Sequence, residues 1–166
     1  MLQRRLLFAP AAALALGACG FQLRGAPELA FSSLFVNVAE SSALGTELKR
    51  NLGSLGALQL VGAPALPADA QAVLDILSEQ REKTVVGVNA TGQVREFQLR
   101  VRVHFRLRTP QGKELIPDTE LLQQRDISFN ESAVLAKEAE ERLMYRDMQS
   151  DIVQQLVRRL AAVRAL

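Results

Sequence analysis

Phe97-Gln98-Leu99-Arg100-Val101-Arg102-Val103-His104-Phe105-Arg106-Leu107-Arg108 alternates apolar and polar residues without a miss. Successive side chains of an extended chain point to opposite sides, so this period of two specifies a strand buried on one face and wet on the other. The apolar face holds Phe97, Leu99, Val101, Val103, Phe105 and Leu107; the polar face holds four arginines and the sole histidine. Such a strand needs a second layer over its apolar side, which the rest of the chain must supply.

Upstream, Asn89-Ala90-Thr91-Gly92 reads as a turn, with Gly92 free to take positive φ. Ala72 to Val88 before it is predicted to be a long strand, bulged near Glu79 to Lys83. Downstream, Thr109-Pro110-Gln111-Gly112 turns the chain, and Glu120 to Phe129 supplies the next antiparallel strand. From about Glu131 the period becomes helical. Leu135, Ala139 and Leu143 form one row beside Met144, Met148, Ile152, Leu156 and Leu160, and both rows are expected in the core. Asn130 is a candidate N-cap. Acidic residues from Glu131 to Glu141 lie early and Arg158, Arg159 and Arg164 late, a polarity that suits the helix dipole.

Nearer the start, Phe35, Val36 and Val38 mark a first strand over Ser33 to Ala39. Ser41 and Ser42 offer cap hydroxyls, Leu44, Leu48 and Leu52 follow at helical spacing, and Gly53 is a candidate C′ residue. Leu58 to Val61 is a brief strand closed by Gly62-Ala63-Pro64 and Leu66-Pro67. The order β-α-β-β-β-β-α predicts an α+β fold: a two-layer sandwich with a mostly antiparallel sheet of four to five strands and two helices packed on one face. The arginine row then lies on the opposite face.

The N-terminal residues indicate a destination. Arg4 and Arg5 precede an apolar run from Leu6 to Leu16, a length suited to a signal peptide and too short to span a bilayer. Leu16-Gly17-Ala18-Cys19 then resembles the lipobox of bacterial lipoprotein precursors and contains the only cysteine. Cleavage before Cys19 removes 18 of the 166 residues and leaves a thiol on which a diacylglycerol can be carried. At about 0.8 kcal/mol per buried CH₂, two or three acyl chains form a lasting anchor. Gly20, in place of an Asp, resembles the outer-membrane sorting pattern. Residues 1–18 are thus expected to be removed, 19–32 to form a lipidated N-terminus and tether, and 33–166 to form a single domain. With Arg4 and Arg5 gone, the remaining basic and acidic residues number 18 each, so net charge gives no reason to expect nucleic acid as a partner. A lone cysteine forms no internal disulfide, so stability must come from packing.

Arg125-Asp126-Ile127-Ser128, Leu135-Ala136-Lys137-Glu138-Ala139-Glu140, Met144-Tyr145-Arg146-Asp147-Met148 and Gln154-Gln155-Leu156-Val157-Arg158-Arg159-Leu160 occur in that order. With Cys19-Gly20-Phe21-Gln22-Leu23-Arg24 ahead of them, they make the chain resemble LptE, the lipopolysaccharide-assembly lipoprotein family of the Gram-negative outer membrane. The resemblance spans the leader, the residues just after it and residues 72 to 160, and is weak over Ser33 to Pro67. It implies a non-enzymatic plug inside the outer-membrane β-barrel that exports lipopolysaccharide, helping the barrel to assemble and binding lipopolysaccharide from the periplasmic side and lumen. Wide barrels have polar interiors, so a folded insert is physically reasonable. Lys137 matches the family pattern. Relatives can carry a basic residue in the hairpin turn, where this chain has Ala90, and the nearest bases are Arg95 and the strand arginines. A periplasmic scaffold or lipid-binding module without a barrel partner is the alternative.

The candidate lipopolysaccharide contacts are Lys137, Arg95, Arg100, Arg102, Arg106 and Arg108. Alternate arginines stand about 6.5–7 Å apart along a strand, and guanidinium groups pair bidentately with phosphates. The plainer reading is a solvated face whose charges oppose edge pairing. Lys137 has a plainer reading too, an ion pair with Glu141 four residues on. His104 has no Cys, His or paired carboxylate at ligand spacing, no nucleophile elbow is present, and Gly112-Lys113 lacks the upstream glycine of a phosphate loop. No cofactor, metal or catalytic residue is therefore expected. Replacing Cys19 with Ala should abolish incorporation of radioactive fatty acid; undiminished labelling would refute the anchor.

Overall fold

The computed structural model describes residues 29–62 and 64–166; Cys19 and the leader lie outside them. Five strands and two helices follow in the order β1 (Ser33–Asn37), α1 (Ala43–Gly53), β2 (Gln59–Val61), β3 (Ala72–Val88), β4 (Val94–Arg108), β5 (Glu114–Ser128) and α2 (Val134–Ala161). The sheet order is β2-β1-β3-β4-β5. β3, β4 and β5 form a long antiparallel meander, while β1 runs parallel to both β2 and β3. The expected α+β sandwich is found, with the parallel pairings confined to the short strands at one end.

The alternating stretch forms β4, the strand at the centre of the meander. Leu99, Val101, Val103, Phe105 and Leu107 are fully buried. They pack in one cluster with Leu44, Leu48 and Leu52 of α1 and Met148, Ile152, Leu156 and Leu160 of α2. Both helices therefore lie on the apolar side of the sheet. A polar link joins them as well: buried Gln149 of α2 donates to Glu47 of α1 at 2.6 Å and accepts from Arg81 of β3 at 2.7 Å. A buried amide must fill both roles, and here it does.

Local chemistry sets the ends of the elements. Ser42 caps α1, its hydroxyl accepting from the Gly45 amide and donating to Glu79 of β3, both at 2.9 Å. Gly45 is needed for space, since a Cβ there would lie 2.6 Å from a methyl of Val38. Gly92 and Gly112 occupy the two hairpin turns at φ 82° and 94°, as the turn residues predicted.

Several expectations are corrected. β3 is irregular at Leu77 and around Val86, where its register against β4 shifts, and is regular from Glu79 to Lys83. Gly53 is the last residue of α1 and lacks positive φ; Ser54 caps the helix and Gly56, at φ 68°, makes the reversal. Asn130 caps a single 3₁₀ turn, Glu131–Ala133, that leads into α2. β5 begins at Glu114, ahead of the expected start, because Pro117 sits on an edge strand beside a register shift, a setting where a sheet tolerates proline. The row Leu135-Ala139-Leu143 is not core: Leu135 is 81% and Leu143 51% exposed, since α1 reaches only the second half of α2.

One buried charge ties the sheet together from the other side. Asp75 of β3 is 3% exposed and accepts from Asn37 at 2.9 Å, Arg106 at 2.9 Å and Arg108 at 2.8 Å. Burial alone would raise its pKa, but the hydrogen bonds from Arg108, Asn37 and Arg106 outweigh burial and lower it from 3.8 to about 2. A carboxylate whose folded pKa is depressed stabilises the fold above its unfolded value and loses that contribution as pH falls through the folded one. Asp75 should therefore contribute about 2 kcal/mol at neutral pH, fading below pH 3.8 and gone once pH is below about 2. Urea unfolding of the wild type and Asp75→Asn should show stabilities that converge across this window. A constant gap from pH 7 to pH 2 would count against the assignment.

Candidate functional site

The structure separates the candidate residues onto opposite faces of the sheet. Arg100, Arg102, Arg106 and Arg108 project with His104 from the uncovered face, as the alternation requires. Arg95 lies at the register shift between Gly87 and Val88, where it has no partner on β3, and so stands outside the regular row. Its guanidinium meets the Gln93 side chain at 3.4 Å, and its carbonyl accepts from the Phe129 amide at 2.7 Å. Lys137 is on the helix side, where its ammonium reaches the Ser128 hydroxyl at 3.0 Å and Glu140 at 2.8 Å.

The expected Lys137–Glu141 pair is thus corrected. Glu141 takes Lys83 of β3 instead, at 2.6 Å. Strand β3 lies within reach of α2, and a cross-element partner prevails over one on the same helix. The Lys83 ammonium also stands 4.4 Å from the centroid of the Phe97 ring. Phe97 in turn meets Phe129 edge to face, their centroids 5.3 Å apart.

These residues line one cleft of about 270 Å³ between the far end of the sheet and the first turns of α2. Phe97, Ile127, Phe129 and Val134 form its apolar part; Lys83, Lys137, Glu138 and Glu141 form its polar part. An apolar floor under two ammonium groups is suited to an amphiphile that carries an anionic head. Sequence reasoning found Lys137 and missed Lys83. The signal was weak, since the bulge at Leu77 flips the parity of β3 and so sets Lys83 opposite buried Leu99.

On the open face the cations are unequal. Arg106 and Arg108 both hold Asp75 through Nε. His104 lies between Asp118, 3.0 Å from Nδ1, and Glu120, 3.2 Å from Nε2. The nearest ion pair of Arg102, with Glu120, is 3.7 Å long. Arg100 donates through Nε and Nη2 to the neutral Gln98 amide oxygen, and Gln98 donates to Asp126 at 3.0 Å. Among the described residues no group of three or more His, Cys, Asp or Glu is placed to hold a metal, and no helix is long and apolar enough to cross a membrane.

Known structures share this architecture. The solution NMR structure of uncharacterized lipoprotein B from Nitrosomonas europaea is 33% identical, covers 86% of this chain and 91% of its own, and superposes with a TM-score of 0.74. The rare lipoprotein B of Shewanella oneidensis is 23% identical over 78% of this chain and 94% of its own, with a TM-score of 0.65. A minor lipoprotein from Acinetobacter baumannii is 22% identical over 82% and 96%, with a TM-score of 0.63. The last two show a shared fold. No curated protein matches the chain. The sequence model described as "LptE: Lipopolysaccharide-assembly" matches residues 31–160, the whole sheet and nearly all of α2. The chain belongs to the LptE family of lipopolysaccharide-assembly lipoproteins, a non-enzymatic family.

Proposed function

We propose that the protein is held by acyl chains on Cys19 at the periplasmic side of the outer membrane, plugs and helps assemble a lipopolysaccharide-exporting β-barrel, and binds lipopolysaccharide itself. In this reading residues 1–18 are removed, 19–32 form the lipidated tether, and 33–166 fold as one domain that occupies the barrel lumen. Membership of the LptE family supports the setting. The observation that carries lipopolysaccharide binding is the cleft in which Lys83 and Lys137 stand beside Phe97, Ile127 and Phe129.

Lipopolysaccharide offers phosphates next to acyl chains. Ammonium groups at the polar part of the cleft meet the phosphates, while the half-buried aromatic rings cover hydrocarbon. At rest each lysine is paired with a glutamate, Lys83 with Glu141 and Lys137 with Glu140. A phosphate that enters must compete with these carboxylates, which favours a multiply charged head over a single charge. Arg95, near the start of β4, meets Gln93 and is not among the residues that line the cleft. Arg106 and Arg108 are committed to Asp75 and serve the fold before any ligand.

The full acylated protein, purified in detergent, should copurify with a barrel of outer-membrane size. Recovery with only soluble or peptidoglycan-associated partners would favour a scaffold instead. Lys83→Gln combined with Lys137→Gln should weaken lipopolysaccharide binding about tenfold at low salt, with the deficit shrinking as ionic strength rises. Equal affinity of the variant and the wild type would remove the cleft from the reading.

A further inference from the structure

The middle of the open sheet face carries positive charge that the fold does not use. Arg106 and Arg108 are taken by Asp75, and His104 by Asp118 and Glu120. Arg100 and Arg102 remain. Arg100 meets only a neutral amide oxygen, and Glu82, its register partner on β3, makes no ion pair with it. Arg102 is more telling. Its Nε is buried and donates to no group, the one such side-chain atom among the described residues. The Glu120 oxygen at 3.7 Å is too far for a hydrogen bond and faces His104 more closely. Across β3 the pair faces Glu82 and Gln80, and across β5 it faces Gln124 and Leu122.

A buried donor without an acceptor calls for an explanation. We infer that Arg100 and Arg102 form a binding site for a phosphate-type oxyanion on the open face, separate from the Lys83–Lys137 cleft across the sheet. Two residues apart on one strand, Arg100 and Arg102 leave the same face from Cα atoms about 7 Å apart, so their side chains, now turned toward Gln98 and Glu120, can swing to one tetrahedral anion that accepts from both. Glu82 and Glu120 border the pair and weaken its field, while a phosphate monoester has three terminal oxygens to share between two guanidinium groups where a carboxylate has two. The inference goes beyond the proposed function and does not depend on the cleft.

The full acylated protein in nonionic detergent, at low ionic strength, is titrated with inorganic phosphate while the arginine Nε–H resonances are followed by NMR. In parallel it is mixed with phosphatidylcholine vesicles with and without phosphatidic acid. Saturable shifts of the Arg100 and Arg102 resonances are expected, assigned from Arg100→Gln and Arg102→Gln. Arg102→Lys keeps the charge but loses the fork, and should weaken binding about fivefold or more. Lys83→Gln with Lys137→Gln should leave these shifts unchanged, which separates this site from the cleft. Response to inorganic phosphate identifies a site for the phosphate group alone; response only to phosphatidic acid identifies a lipid headgroup, and both support the inference. No saturable shift with either probe overturns it, as does affinity that Arg100→Gln with Arg102→Gln retains.

Discussion

The burial of one side of β4 is the constraint on which the rest of this structure depends. Five consecutive inward positions, Leu99 to Leu107, are fully excluded from water under α1 and α2. Their strict alternation leaves one register open, because a slip of one residue would exchange the leucines and valines for arginines. Burying an unpaired guanidinium costs several times what one buried leucine contributes, so the slipped alternative is far higher in energy. The same pattern that builds the core therefore fixes a line of cations on the far face. Packing and charge placement are one decision here.

That line is not uniform in use. Asp75 draws Arg106 and Arg108 into the fold, and the Asn37 amide adds a bond from β1, so three strands meet at one carboxylate. This end of the sheet is where short parallel strands join the long meander, and a shared charge-assisted cluster locks the junction. Further along β4 the arginines have weaker partners or none. The gradient runs from structural cations at the junction to available ones at the middle of the face. The Lys83 and Lys137 cleft lies on the opposite side, so the two sets of cations cannot serve a single small ligand at once.

Much of this was legible in the residues, and the failures have physical causes. Alternation in β4, Ser42 before Leu44, and Gly92 and Gly112 in the turns each act through a local rule, so strand, cap and turns were readable. Bulges were not, because a contiguous run such as Ile76-Leu77 fits a strand with or without a slipped residue. Leu135 and Leu143 obey helical spacing yet lie exposed, since periodicity says which residues share a face and not how far the covering layer extends. Lys137 could be picked out by its motif alone. Lys83 could not, as its role depends on the approach of α2, 58 residues away from it at Glu141. Asp75 looked like any strand carboxylate until its two arginine neighbours across β4 were placed by register.

The unequal lengths of the helices explain why a cleft exists at all. α1 has 11 residues and α2 has 28, so two helices cover the junction end of the sheet and only one covers the hairpin end. β1 likewise pairs with β3 only as far as Asp75, which leaves the outer edge of β3 unpaired beyond it. The buried cluster gives out near Leu99 and Ile127, and Phe97 and Phe129 stay half-buried with no second helix to close over them. Exposed Val85, Val86 and Val88 follow from the same thinning. A long bare edge of this kind invites pairing with other chains, and the bulges at Leu77 and Val86 with the charged stretch Glu79 to Lys83 oppose it. The charges that protect this edge include Lys83, which also meets α2 at the cleft. Edge protection and ligand capacity thus arise from one feature, a helical layer that ends before the sheet does.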